Sequence, residues 1–274
     1  MIHEQLALHG GLGVVDVSLH RGWPEITEED RRAVLAVLDR GVLSGPTAPE
    51  VSALERDFAS YLGVEYCLAL NSGTAALHCC CAAAGLGPGD EVIVPALTFI
   101  ASAMAVCQQG ATPVFCDIDP ATYNIDPGLI EQRITERTKA IMAVHLHGLP
   151  CDMDPIQQIA ERHGLLVIED AAQAPGATYK NRKVGSLGHS AGFSLQQTKN
   201  LCGGDGGLFV TNDQHAYQTA ARLRLFGEDA DVPGTGAERP YLSHGLGFNY
   251  RNHELSAALA RSQLTGECLC REIT

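Results

Sequence analysis

The stretch Asp154-Pro155-Ile156-Gln157-Gln158-Ile159-Ala160-Glu161-Arg162-His163-Gly164-Leu165-Leu166-Val167-Ile168-Glu169-Asp170-Ala171-Ala172-Gln173 decides the fold class. Asp154 to His163 reads as a helix, and Gly164 stands where a C-terminal cap belongs. Leu165 to Ile168 is a near-continuous apolar run, the pattern of a strand covered on both faces. Asp170 then falls at the carboxyl end of that strand, the edge at which wound sheets bind ligands. A carboxylate there can hold a positive ring nitrogen, or simply cap the next helix.

Working outward, similar runs occur at Glu91-Val92-Ile93-Val94, Thr112-Pro113-Val114-Phe115 and Ala140-Ile141-Met142-Ala143-Val144, with helical stretches between them. The order strand, helix, strand predicts an α/β fold: a mainly parallel, wound sheet with helices on both faces. Upstream, Thr27 caps a helix that opens with Glu28-Glu29-Asp30, continues through Val34, Leu35 and Leu38, and ends at Gly41. A second amphipathic helix runs from Pro49 to Leu62 and ends at Gly63; the intervening Ser44-Gly45-Pro46 reads as a substrate-side or interface loop. The sequence contains no internal repeats and no low-complexity tract.

At 274 residues and 45% hydrophobic composition, the chain is long enough for a full α/β core. A net charge of −13, from 19 basic against 32 acidic side chains, disfavours nucleic acid as a partner. No run approaches eighteen apolar residues, and Met1-Ile2-His3-Glu4-Gln5 lacks the basic-then-apolar plan of a signal peptide. A soluble, cytoplasmic protein without membrane contact is expected. The ten cysteines lie mostly in apolar runs, as in Cys79-Cys80-Cys81, with no paired CxxC; they are expected to be reduced, structural thiols.

Three segments carry chemistry. Asn71-Ser72-Gly73-Thr74 follows the apolar run Cys67 to Leu70 and precedes a small-residue helix, where hydroxyls and free amides can hold a phosphate or merely cap the helix. Asp170 is the strand-end acid. Phe193-Ser194-Leu195-Gln196-Gln197-Thr198-Lys199 sets a lysine before Gly203-Gly204-Asp205-Gly206-Gly207, a glycine run that would let a bulky ligand approach. A lysine that forms Schiff bases must lose its proton near neutrality, which burial beside other positive groups favours. His145 and His147 are also placed to line a site, or, sharing one face of a strand, to bind metal; no further ligand cluster accompanies them, and no metal site is expected.

Together with Pro95-Ala96-Leu97-Thr98-Phe99 and Gly247-Phe248-Asn249-Tyr250-Arg251, these segments closely resemble the DegT/DnrJ/StrS sugar aminotransferases, from about Trp23 to Leu264. The resemblance implies a fold-type I large domain binding pyridoxal 5'-phosphate (PLP). It makes Lys199 the Schiff-base lysine and proton carrier, and Asp170 the partner of the pyridine nitrogen. Phe99 would stack on the ring and Gln173 would lie near its phenolic oxygen. Ser72, Gly73, Thr74 and Ser194 would hold the phosphate, with Asn249 reaching it from the neighbouring subunit of a homodimer. Asp205 stands where many members carry Glu.

The implied reaction moves an amino group from glutamine or glutamate to a keto-sugar or keto-cyclitol, in antibiotic, deoxysugar or aminocyclitol biosynthesis. Leu6 to Gly11 and Trp23-Pro24 are closer to the cyclitol members. A PLP-dependent dehydratase or isomerase is the alternative on the same scaffold, though relatives of that kind replace the lysine by histidine; a non-catalytic relative is another. Residues 1–44 are expected to form an N-terminal arm and helix, and residues 45–264 the PLP-binding large domain. Residues 265–274 are expected to fall outside the family resemblance, with the family's small C-terminal domain absent and turnover correspondingly poor.

Overall fold

Local sequence rules set the first helices. The computed structural model describes residue 9 and residues 22–45, 48–229 and 242–265. Helix α1 (Glu28–Arg40) starts in a capping box: the Asp30 amide donates to the Thr27 hydroxyl (3.2 Å) and the Thr27 amide to the Asp30 carboxylate (2.9 Å). It ends at Gly41 in the left-handed conformation. Helix α2 (Pro49–Leu62) has Ala48 at its cap, which offers no side-chain acceptor. Instead the buried Glu254 carboxylate accepts the amides of Glu50 (3.1 Å) and Val51 (2.9 Å), and Arg40 closes on the same group at 2.8 Å.

The chain then alternates: β1 (Tyr66–Leu70), α3 (Gly73–Ala83), β2 (Glu91–Pro95), α4 (Ala101–Gln108), β3 (Thr112–Cys116), the one-turn α5 (Pro127–Ile130), β4 (Thr138–Val144), α6 (Met153–His163) and β5 (Leu166–Asp170). The short hairpin β6 (Thr178–Tyr179) and β7 (Arg182–Lys183) precedes β8 (Ser190–Ser194), β9 (Gly207–Thr211), α7 (Gln214–Arg224) and α8 (Glu254–Thr265). Among the described residues, seven strands form one sheet in the order β1-β9-β8-β5-β4-β2-β3. Pairings within β3, β2, β4, β5 and β8 are parallel, whereas β9 runs antiparallel to both β8 and β1. Every strand of this sheet except β9 therefore points the same way.

Two apolar layers cover this sheet. Leu54 and Phe58 of α2, Ile156 of α6 and Ala257 of α8 pack on one face; α3, Val106 of α4 and Ala220 of α7 pack on the other. The α/β architecture matches the expectation, with one difference. Thr112–Phe115 is not covered on both faces: β3 is the sheet's edge, and Phe115 is half exposed. Beyond what the sequence specified, the lysine-bearing segment joins two antiparallel neighbours, β8 and β9.

All eight described cysteines are free thiols, seven of them buried. Burial pushes Cys79 and Cys81 up to about 12, so they pack as small apolar side chains. No helix among the described residues is long and apolar enough to cross a membrane. Of the expected stretch Leu6 to Gly11 all but residue 9 lies outside the described residues, as do residues 266–274 and Pro46 of the expected loop.

Candidate active site

Because β1, β2, β4, β5 and β8 are codirectional, their carboxyl ends share one edge of the sheet. A cavity of about 550 Å³ opens there, within the size range of small-molecule sites. Ser72, Gly73, Thr74, Phe99, Asp170, Gln173, Ser194 and Lys199 all line it. Asn249 does not: it is exposed on a neighbouring segment, where its carbonyl accepts Asn71 Nδ2 at 3.1 Å and its Oδ1 accepts Arg251 Nε at 3.2 Å.

One wall is built for an anion. Ser72 caps α3, its Oγ accepting the Ala75 amide at 3.1 Å, and the Ala76 amide closes on the Ser72 carbonyl. The helix itself supplies no acceptor for the amides of Gly73 and Thr74. Ser194, at the end of β8, lies against this turn so closely that a Cβ on Gly73 would sit 2.8 Å from its own Cβ. The glycine run serves the same packing. A Cβ on Gly207 would lie 2.2 Å from the Ser72 carbonyl oxygen, and one on Gly203 would lie 3.0 Å from Ser256 Oγ of α8. These glycines admit neighbouring protein, where the sequence suggested room for a ligand; Gly206 alone of the run's glycines lines the cavity.

The opposite demand is met by Asp170. Its side chain is buried, and burial raises its proton affinity despite hydrogen bonds from Ser102 Oγ (2.6 Å) and the Ala172 amide (3.1 Å) and the nearby ammonium of Lys199. A carboxylate so placed gains most from a cationic ligand. Lys199 stands half-buried on a turn in which its amide donates to the Gln196 carbonyl (2.8 Å), while Gln196 Oε1 accepts the Thr198 amide (2.8 Å). Leu195 and Gln197 pair with Gly206 and Gly204 across the loop, and the Trp23 indole donates to the Gln197 carbonyl at 3.0 Å. Phe99 is 67% exposed at the rim. Gln173 Oε1 accepts the His147 amide at 2.8 Å, which leaves its Nε2 as a donor.

The two histidines do not share a strand face. His147 sits in a turn with φ 54°, beyond the end of β4. His145 is fully buried: Nδ1 accepts the Cys151 amide (3.0 Å), which assigns the proton to Nε2, and Nε2 donates to Glu169 (3.0 Å). Glu169, on the other face of β5 from Asp170, also accepts the amides of Gly185 (2.7 Å), Leu187 (2.8 Å) and Gly188 (2.6 Å). Burial opposes its ionisation, but the His145 bond and these amides prevail and hold it below the usual carboxylate range. No cluster of three or more metal-ligating side chains occurs among the described residues.

An anion cradle, a buried carboxylate suited to a cation and a primary amine share one cavity, and these are the needs of the phosphate, pyridine nitrogen and aldehyde of PLP. A family model for the DegT/DnrJ/EryC1/StrS aminotransferases matches residues 24–267. The chain belongs to this family. It is 47% identical over 241 residues to GDP-perosamine synthase of Caulobacter vibrioides, covering 88% of this chain and 63% of that protein. It is 41% identical to L-glutamine:2-deoxy-scyllo-inosose aminotransferase of Streptomyces lividus, covering 95% and 63%. The solved PLP form of a sugar aminotransferase from Streptococcus pneumoniae superposes with a TM-score of 0.81 at 32% identity, covering 90% and 66%. The chain thus spans about three-fifths of the length of these curated relatives.

In this family setting, two site residues had gone unread in the sequence. Ser102 lies in an apolar helix and reads there as core, although it falls four residues after Thr98, a spacing that brings two hydroxyls together at a helix start. Trp23 gave no sign of its bond to the lysine loop, which spans 174 residues of chain.

Proposed function

We propose that this chain binds PLP in the strand-end cavity and serves amino transfer from glutamine or glutamate to a keto-sugar or keto-cyclitol. The observation that carries the reading is the meeting of Lys199, the buried Asp170 and the Gly73-Thr74-Ser194 cradle in one cavity. PLP, when bound, supplies the electron sink that amino transfer requires.

The chain's own residues do the rest. The amides of Gly73 and Thr74 and the hydroxyls of Ser72 and Ser194 bind the phosphate at the start of α3. Asp170 accepts the ring nitrogen's N–H and keeps that proton in place. Phe99 covers one face of the ring, shielding it from water, and Gln173 turns its free Nε2 toward the phenolic oxygen. Lys199 would attach the cofactor through its amine and would serve as the proton carrier between donor and acceptor carbons. Asn249, outside its own cavity, serves the phosphate of a second copy, which makes a homodimer the functional unit. Relatives named for GDP-perosamine and for glutamine with 2-deoxy-scyllo-inosose support the acceptor class and the donor. The acidic, cytoplasmic character read from the sequence accords with such small-molecule work.

Borohydride reduction in the presence of PLP, followed by peptide mapping, tests the site. The label belongs on Lys199 and vanishes in Lys199→Ala. A label on Lys180 or Lys183, or none at saturating PLP, overturns the assignment. Incubating the labelling-competent protein with glutamine or glutamate and a panel of keto-cyclitols and nucleotide keto-sugars then identifies donor and acceptor.

A further inference from the structure

Beside Asp170 lies a chain of two hydroxyls that runs from Thr98 on the cavity wall to Ser102 behind it. Ser102 on α4 is fully buried and absent from the cavity wall, so it cannot touch a ligand. Its Oγ lies 2.6 Å from Asp170 Oδ2, 2.7 Å from Thr98 Oγ1 and 3.2 Å from the Phe99 carbonyl. A serine hydroxyl has one hydrogen, and an ionised carboxylate can only accept. The much shorter contact claims that hydrogen for Asp170, and Thr98 must then donate to Ser102. The hydrogen bonds run one way, from Thr98 through Ser102 to Asp170.

Asp170 has no other side-chain donor among the described residues. The Ala172 amide holds Oδ1 at 3.1 Å, so one donor on each oxygen fixes the carboxylate plane. The remaining ionisable neighbours are His145 at the end of β4, Lys199 after β8, the thiol of Cys80 on α3 and that of Cys151. His145 spends its Nε2 proton on Glu169. The two thiols are raised by burial and remain neutral. Of the groups that favour the charged form of Asp170 against burial, the Ser102 hydroxyl is the strongest, ahead of the Ala172 amide and the Lys199 amine.

We propose that Ser102, backed by Thr98, is a positioning residue that holds Asp170 ionised and in one orientation, so that the proton shared with the cofactor stays on the ring nitrogen. The inference rests on the PLP reading above and extends it to residues that never meet the cofactor ring nitrogen. Without the Ser102 hydroxyl, Asp170 becomes the stronger base, and the proton moves from nitrogen to carboxylate oxygen. A pyridinium and carboxylate become a neutral pyridine and carboxylic acid, with no change in total charge. A hydrogen bond to a charged acceptor is worth about one to two pK units, enough to move a proton between closely matched partners.

The test uses PLP labelled with nitrogen-15 at the ring, bound to the unsubstituted chain and to Ser102→Ala, Thr98→Val and Thr98→Ser. The nitrogen chemical shift reports where the proton sits, a readout that a merely structural serine would leave unmoved. The expected result is a protonated ring nitrogen in the unsubstituted chain and a shift toward neutral pyridine in Ser102→Ala. A smaller shift in the same direction is expected in Thr98→Val, and none in Thr98→Ser. An unmoved signal in Ser102→Ala and Thr98→Val, with PLP bound, overturns the role of the hydroxyl chain and leaves the PLP reading standing. If Ser102→Ala does not fold, Thr98→Val, in which only the relay's first hydroxyl is lost, decides. Failure of the unsubstituted chain to bind PLP overturns both.

Discussion

Replacing Glu169 by Gln removes one charge and one acceptor from the best-satisfied polar group in the core. The carboxylate takes four donors, Leu187 and Gly188 on Oε1 and His145 and Gly185 on Oε2. A glutamine keeps a single carbonyl oxygen, so its NH2 must face two N–H donors. Each buried donor left without an acceptor costs about 1–3 kcal/mol, and the two surviving bonds lose about 1 kcal/mol each of charge assistance. Burying an amide is easier than burying an ion, which returns part of this. A net loss of about 3 kcal/mol remains, a large share of the 5–15 kcal/mol or so that holds an ordinary domain together. Urea unfolding of the cofactor-free protein, followed by circular dichroism at pH 7 and pH 4, measures it. The pH sign follows from the depressed proton affinity of Glu169: its stabilisation is complete above the unfolded-state value of about 4.3 and is lost as pH falls through the lower folded-state value. The gap between native chain and variant should therefore narrow on acidification. A loss below about 1 kcal/mol at neutral pH, or a gap that is constant with pH, refutes the account.

Asp170→Asn is expected to stabilise the cofactor-free protein at neutral pH, since burial raises the native carboxyl and each pK unit so gained costs about 1.4 kcal/mol above it; the advantage should fade as pH falls through the raised native value and be gone below the unfolded-state one, and half-transamination should be largely lost. Thermal melts from pH 4 to 8 check the first part, and an Asn variant less stable at pH 8 contradicts it. Gly207→Ala should cost about 1–3 kcal/mol or more by driving a methyl into the Ser72 carbonyl, and should weaken PLP binding by displacing the phosphate turn. Binding titrations that match the native chain would show that the turn tolerates the shift. Glu254→Ala strips the only side-chain acceptor that the described residues place at the start of α2 and leaves Arg40 short of a partner, with about 2–4 kcal/mol expected from denaturant melts; Arg40 retains Glu50 nearby, so a larger loss would point to wider unfolding.

Much of the fold was legible because its signals are local. Thr27, Gly41, Pro49 and Gly63 bound α1 and α2 in the sequence as they do in the structure. Sheet order is not local: Thr112–Phe115 is as apolar as the central strands, and only pairing with β2 alone makes it an edge. The site residues were legible where one motif supplied both residue type and strand end, as at Asp170 and Gly73. His145 with Glu169 was not, because the bond depends on β4 and β5 being adjacent and on Ala143 lying opposite Glu169. Ser102 was hidden for a similar reason. Its meaning depends on an aspartate 68 residues away.

Glu169 and Asp170 stand side by side on β5 and face opposite ways, one into a nest of four donors and one into the cavity. This makes the strand intolerant of assembly errors. If β5 inserted one residue out of step, either Asp170 would enter the nest one methylene too short to reach its amides, with Ala171 left at the cavity, or Glu169 would protrude one methylene too far into the cofactor's space, with Ile168 left facing the nest. Val167 and Ile168 are both buried and would resist such a slip only weakly, since either face accepts an aliphatic side chain. The two acids, differing by a single carbon, supply the discrimination that the apolar part of the strand lacks: a wrongly threaded chain forfeits its core anchor and its function together.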